Sequence, residues 1–349
     1  MPTPERAAFL LRDQASYCAA MGSPLYAELL ERAADDAARR GKVFDLLEPF
    51  DAPNLRADAL ALRLMAAVHR LVLTGEAPRL AAHYPSAGGR PGGDVWEAFH
   101  ELVAEQADRL RPLVARPCQT NEVGRSAALA FGFLEIAARF GLPLRLLEAG
   151  ASAGLNLRFD HFRYAGGGAA WGPANSPVDL TGLWLDSPAR LPARLEVAER
   201  SGCDLRPIEL GSPEGRLQLE ASVWADQALR LARLRGAIAV AARVPARVEQ
   251  ASVEAWLADR LGEARPGNAT VVYHAIVYEY FTPAVRQGFH AALEAEGARA
   301  TPEAPLAWLR FEATPATRGY AVTLTTWPGA EEHVIARALA HGSDVRRSP

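Results

Sequence analysis

The feature that most constrains this chain is a change of hydrophobic period near residue 140. Before it, "PERAAFLLRDQASYCAAM", "SPLYAELLERAADDAARRG" and "LRADALALRLMAAVHRLVLTG" place apolar residues three and four positions apart, which predicts amphipathic helices. Ser23-Pro24 and Gly41 bracket the second run with start and stop signals. "YPSAGGRPGGD" (84–94) reads as a loop, and "VWEAFHELVAEQADRLRPLV" returns to helix. Almost nothing before residue 140 reads as strand.

The pattern then alternates. "QTNEVGRSAALAFGFLEIAARFG" reads as a helix capped by Thr120 or Asn121 and ended by Gly141. "LRLLEAG" follows as a short strand, with further strand-like runs at 204–210, 246–250, 269–278, 305–313 and 319–327. Helices opened by Ser212-Pro213-Glu214, Ser252 and Thr282-Pro283 separate most of them. Such alternation predicts an α/β fold: a mainly parallel sheet covered by helices on both faces. The run at 319–327 alternates like an antiparallel edge strand. Residues 158–203 break the rhythm and read as a hairpin insertion. The expected organisation is a helical region over 1–115 and an α/β core over 116–349.

Composition narrows the function classes. A net charge of −3 gives no electrostatic reason to expect nucleic acid or a membrane surface as partner. No apolar run approaches the roughly 20 residues of a membrane span, and the start lacks the order of a secretory signal. A cytoplasmic location is therefore expected, and nothing in the sequence speaks to oligomeric state. Cys18, Cys118 and Cys203 form no C-x-x-C pair, and the histidines show no ligand spacing, so no metal is expected. Lys42 is the only lysine. It lies outside any Walker loop and follows a polar helix end, which makes P-loop and pyridoxal phosphate (PLP) chemistry improbable.

"LLEAGASAGLN" (146–156) fits two templates. Gly150-Ala-Ser152-Ala-Gly154 satisfies G-x-S-x-G, the serine turn of an α/β-hydrolase. That turn normally follows several strands, whereas here about 140 helical residues precede it. Asp259, His333 and His341 stand in a permissible order for the remaining triad members. The alternative is a cofactor loop after the first strand, with the other strands to follow. In it Glu148 accepts hydrogen bonds from a nucleoside-like ligand, while Gly150 and Gly154 permit close backbone approach. A third reading is a tight turn with no ligand.

"PCQTNEVGRSAAL", "LPLRLLEAGASAGLNL", "GCDLRPIEL", "VVYHAIVYEYF", "PLAWLRFE" and "TTWPG" together resemble the bacterial family called domain of unknown function 2332. The resemblance covers nearly the whole chain and is most specific over 117–157 and 202–281. The family brings no established activity. Its central region resembles the Rossmann-like core of class I S-adenosylmethionine (AdoMet) methyltransferases, chiefly through Glu148-x-Gly150-x-x-x-Gly154. Ser152 replaces the middle glycine of that family's acid-x-G-x-G-x-G loop. The resemblance implies AdoMet as cofactor, a small-molecule acceptor and a strand-end acid for the ribose, for which Glu209 is the nearest candidate.

The remaining candidates follow from local chemistry. Gln119, Asn121, Glu122 and Arg125 gather polar groups at one helix start, where a carboxylate could bind. The plain alternative is an Asn121 cap and a Glu122–Arg125 pair. Asn156 follows the glycine loop. His274 lies near the end of a strand and could take a proton from an acceptor, with Glu279 beside it and Tyr278 lining the pocket. A lone strand histidine is more often structural. Trp224 and Asp226 could cover the cofactor, although Trp224 is most simply core packing.

Overall fold

The computed structural model describes residues 3–50, 59–192, 194–262, 265–314 and 319–348. Two compact units emerge. One comprises Met1–Thr120 with Ser212–Ala232, and the other Asn121–Gly211 with Arg233–Pro349. The helical unit thus includes a second stretch that a division at 115/116 assigns to the core.

The helical unit contains α1 (Pro4–Ala20), α2 (Pro24–Ala38), α3 (Lys42–Leu47), α4 (Leu60–Leu73), α5 (Pro78–Ala81), α6 (Val95–Glu105) and α7 (Ala107–Val114). The helix predicted from Leu55 starts at Leu60, after Ala59 with a left-handed φ of 52°; residues 51–58 lie outside the described residues. Pro4 follows a Thr3 cap whose side chain accepts from the Arg6 amide, a device worth about 1 kcal/mol. Ser23 does not cap α2 itself. Asp226 does so, accepting the Leu25 amide at 3.0 Å and the Ser23 hydroxyl at 2.6 Å. Leu11, Ala15 and Cys18 of α1 join Leu29, Leu30, Ala33 and Ala37 of α2 in the core of this unit. Trp224 belongs to that core, with its ring 6.2 Å from that of Tyr26. Trp224 and Asp226 therefore serve the helical unit. Ser212 caps α9 (Pro213–Ser222) as expected, and α10 (Ala228–Ala241) carries the chain past the division at Ala232.

In the second unit α8 (Arg125–Phe140) starts at Gly124, not at Thr120 or Asn121, and Gly141 ends it in the left-handed region. Then come β1 (Leu144–Ala149), the hairpin β2 (Tyr164–Gly166) and β3 (Ala169–Trp171), β4 (Val197–Asp204), β5 (Arg247–Gln250) and α11 (Val253–Leu261). The chain closes with β6 (Ala269–Ala275), α12 (Pro283–Gly297), β7 (Leu306–Thr314), β8 (Gly319–Trp327), β9 (Glu331–Ala338) and β10 (Arg346–Arg347). Apart from the separate β2–β3 hairpin, these strands form one sheet in the order β5-β4-β1-β6-β7-β8-β9-β10. The pairs from β5 to β7 are parallel and those from β7 to β10 antiparallel. The five parallel strands run 3-2-1-4-5 in chain order, the doubly wound arrangement with its switch between β1 and β6.

Helices cover both faces. Trp256 and Leu257 of α11 and Phe289 and Leu293 of α12 pack with Leu147, Val272 and Trp308. On the other face Phe133 of α8 meets Tyr273 edge-on, with ring centroids 5.0 Å apart.

Three strand expectations need correction. The second core strand is 197–204, and 204–210 is the loop after it. Pro207 gave the warning, since proline lacks the amide a central strand must donate. Most of "ARLEVAERSG", read as insertion hairpin, is β4 itself. Its charges hid it, because parallel strands are usually apolar. Here Arg200 forms a double ion pair with Asp160, at 2.7 and 2.6 Å, and Glu199 meets Arg145 at 2.9 Å. Finally, β8 is antiparallel but not an edge, because β9 and β10 lie beyond it.

Candidate functional site

The loop after β1 is held from three sides. Asp204, at the carboxyl end of β4, accepts the Ser152 amide on Oδ2 at 2.9 Å and the Arg206 amide on Oδ1 at 2.8 Å. The Ile208 amide donates to the Ser152 carbonyl at 3.2 Å. Asn121 Oδ1 accepts the Leu155 amide at 2.8 Å, and Asn156 Oδ1 accepts the Ser126 hydroxyl at 2.8 Å. Asn156 Nδ2 donates to the Glu122 carbonyl, and the Glu122 carboxylate accepts the Gly124 amide. Asn121, Glu122 and Ser126 therefore clasp the loop. Arg125 donates to the Ala275 carbonyl at 2.9 Å and to the Ala340 carbonyl at 3.3 Å.

Gly150 and Gly154 adopt φ of 70° and 69°. A Cβ at Gly150 would lie 2.5 Å from Val277 Cγ2, and one at Gly154 would lie 2.7 Å from Val248 Cγ2. The protein's own valines fill the space these glycines leave. Ser152 and Ile276, just past the ends of β1 and β6, hold φ of 55° without being glycine. Such a conformation is a genuine outlier for the β-branched Ile276, and strain of this kind gathers at functional sites. Both residues flank the switch point.

Glu148 Oε2, Tyr273 Oη and Ser152 Oγ are buried without a hydrogen-bond partner. Glu148 and Tyr273 are register partners on adjacent strands. Burial pushes the Glu148 carboxyl up to about 8, against the pull of the Tyr273 hydroxyl, Arg158 and Arg125, while Asp204 adds to the rise. Burial likewise lifts the Tyr273 hydroxyl well above its ordinary range. Arg158 donates to the Gly154 carbonyl at 2.6 Å and to the Val244 carbonyl at 3.0 Å. Burial first, and Arg200 second, lower its proton affinity.

His274 is differently placed. It is fully buried, with Nδ1 2.6 Å from Glu312 Oε1 and Nε2 3.1 Å from the Trp308 indole nitrogen. An indole can only donate, so Nε2 accepts and Nδ1–H donates to Glu312. Both nitrogens are committed. Tyr278 stacks on the ring at 5.5 Å, while Glu279 is exposed on the following turn. Glu209 is also exposed, on the loop and not at a strand end. Gln119 is half-buried in the helical unit.

The residues sequence reasoning missed are Asp204, Tyr273, Arg158 and Glu312. Asp204 was legible once Pro207 ended the strand. The others required the sheet register. At the opposite, amino end of the sheet, a cavity of about 250 Å³ is lined by Arg145, Arg265, Thr270, Glu296, Arg299 and Leu306, among others. Arg145 pairs there with Glu199 and Arg299 with Glu296. Among the described residues no group of three or more His, Cys, Asp or Glu could share a metal ion, and no helix is long and apolar enough to cross a membrane. The three cysteines are free thiols.

No curated protein and no solved structure matches the chain. A family model described as "Uncharacterized protein conserved in bacteria (DUF2332)" matches residues 8–347. The chain belongs to that family, domain of unknown function 2332.

Proposed function

We propose that this protein is an AdoMet-dependent methyltransferase acting on a small molecule, with its cofactor at the carboxyl ends of β1, β4 and β6. One observation carries the reading. Glu148 and Asp204 stand at the ends of adjacent strands beside the point where strand order reverses, the place where open α/β sheets bind ligands.

The residues fit through polar atoms, not through space beside the glycines. Each Asp204 oxygen accepts one amide and keeps a further acceptor site for a ribose hydroxyl. The unpartnered Ser152 hydroxyl offers a donor within the loop. When bound, AdoMet supplies a methyl group already activated on a sulfonium. The chain then has to align an acceptor with it, and alignment alone can supply much of the acceleration. A committed His274 is compatible with this, because such a reaction needs no strong base. Tyr278 and Glu279, on the turn past β6, are the side chains assigned to meet an acceptor.

A serine hydrolase would need a base within hydrogen-bond reach of Ser152 Oγ, and that atom has no partner. The valine packing against Gly150 and Gly154 favours a second reading, a nucleotide-binding protein without catalysis. Calorimetric titration of AdoMet and S-adenosylhomocysteine tests the cofactor. Micromolar binding, weakened at least tenfold by Asp204→Ala, is expected. Failure of the folded wild-type protein to bind either would contradict the proposal, and binding without transfer from labelled AdoMet across an acceptor screen would favour the second reading.

A further inference from the structure

We infer that Glu148 is the charge-reading residue of this site: it keeps a proton while no ligand is bound and releases it when an ammonium or sulfonium group seats beside it. The inference rests on the cofactor reading above and names a property of this chain's own carboxyl group.

Glu148 is the penultimate residue of β1, immediately below the strained loop, and is 3% exposed. Its Oε2 has no hydrogen-bond partner, and the Tyr273 hydroxyl is its neighbour in register. A buried acceptor left unpaired costs about 1–3 kcal/mol, and a cation seated beside Oε2 would remove that cost. The charged groups around it are committed elsewhere. Arg158, below the loop, bonds the Gly154 and Val244 carbonyls. Arg125, from the start of α8, bonds the Ala275 and Ala340 carbonyls. Arg200, from β4, holds Asp160 and the Leu157 carbonyl. Asp204, at the end of β4, opposes ionisation of Glu148.

With burial dominant, the carboxyl titrates near 8 and carries its proton at neutral pH. A cation beside it favours the carboxylate. The step is then a carboxylic acid becoming a carboxylate paired with the ligand's positive charge, its proton passing to buffer. Affinity must fall as pH is lowered, by up to tenfold per unit while one proton is exchanged.

The test is calorimetry of AdoMet binding to the full chain at pH 6.5 in buffers of different ionisation enthalpy. That pH lies below the titration of the ligand's own α-amino group, for which about 7.7–8.0 is usual. The wild-type protein should release close to one proton per ligand and bind up to tenfold more tightly at pH 7 than at pH 6. Glu148→Gln, an isostere of the protonated acid, should fold, bind, and show neither effect. Equal proton release with S-adenosylhomocysteine would assign the ammonium, and release with AdoMet alone the sulfonium. Binding without proton release, or release retained by Glu148→Gln, overturns the inference and leaves the cofactor reading standing. Absence of binding by folded wild-type protein overturns both.

Discussion

Two carboxyl groups near the carboxyl end of the sheet, Glu148 buried and Glu312 half-buried, have opposite fates. Burial alone would raise Glu312 on β7. The His274 Nδ1–H and the amides of Val277 and Tyr278 more than offset this and hold it below the usual carboxylate range. Glu148 on β1 is desolvated more completely and lacks enough donors, and is pushed up to about 8. Burial does not decide ionisation by itself; the supply of hydrogen-bond donors does. Around Glu312 the fold completes its own network, which makes His274 a structural lock. Around Glu148 it leaves an acceptor open, beside the proposed ligand site.

Glu312→Ala strands the His274 proton and two amides. Unpaired buried donors at about 1–3 kcal/mol each put the loss near 5 kcal/mol by urea denaturation. A loss under 1 kcal/mol would remove the structural-lock reading.

The pH dependence of the two carboxyls separates them next. Glu148, raised in the folded state, costs nothing below the unfolded value near 4.5; stability then falls as pH rises to about 8, because the unfolded chain ionises first. The integrated loss is on the order of 5 kcal/mol. Glu312, lowered in the folded state, contributes above its unfolded value and loses that contribution as pH falls through its folded one. Urea midpoints at pH 5 and pH 9 for wild type and Glu148→Gln should show the alkaline loss in wild type alone. Parallel curves would contradict the assignment.

Gly150→Ala should cost about 3 kcal/mol, combining a left-handed residue with overpacking against Val277. Val277→Ala in the same chain should recover part of it. A neutral Gly150→Ala would show that the loop has room to move. The smallest effect belongs to Ser152→Ala. Removing an unpartnered buried hydroxyl should change stability by less than about 1 kcal/mol, and a fluorophosphonate probe should label neither protein.

The period change at residue 140, the first strand and its loop, and the helix starts at Ser212 and Thr282 were legible because each depends on local spacing or capping. β4 was not, since its charges are neutralised by Asp160 and Arg145, which are remote in sequence. β9 was hidden likewise by exposed Glu331, Glu332 and His333. Within the site, Glu148 and Ser152 could be picked from the motif, but not their lack of partners. That property belongs to the register of β1 with β6 and to the loop from β4. The fate of His274 was equally out of reach, because it is decided by Glu312 and Trp308 on the neighbouring strand.

The most direct test of the central claim, that the open end of β1 is the ligand site, is amide hydrogen exchange with and without AdoMet. The account predicts slowed exchange over 150–156 and 203–208, the two segments joined through Asp204, with β8 and β9 unchanged. Unaltered exchange at both segments while AdoMet is bound, or protection confined to another part of the chain, would contradict it.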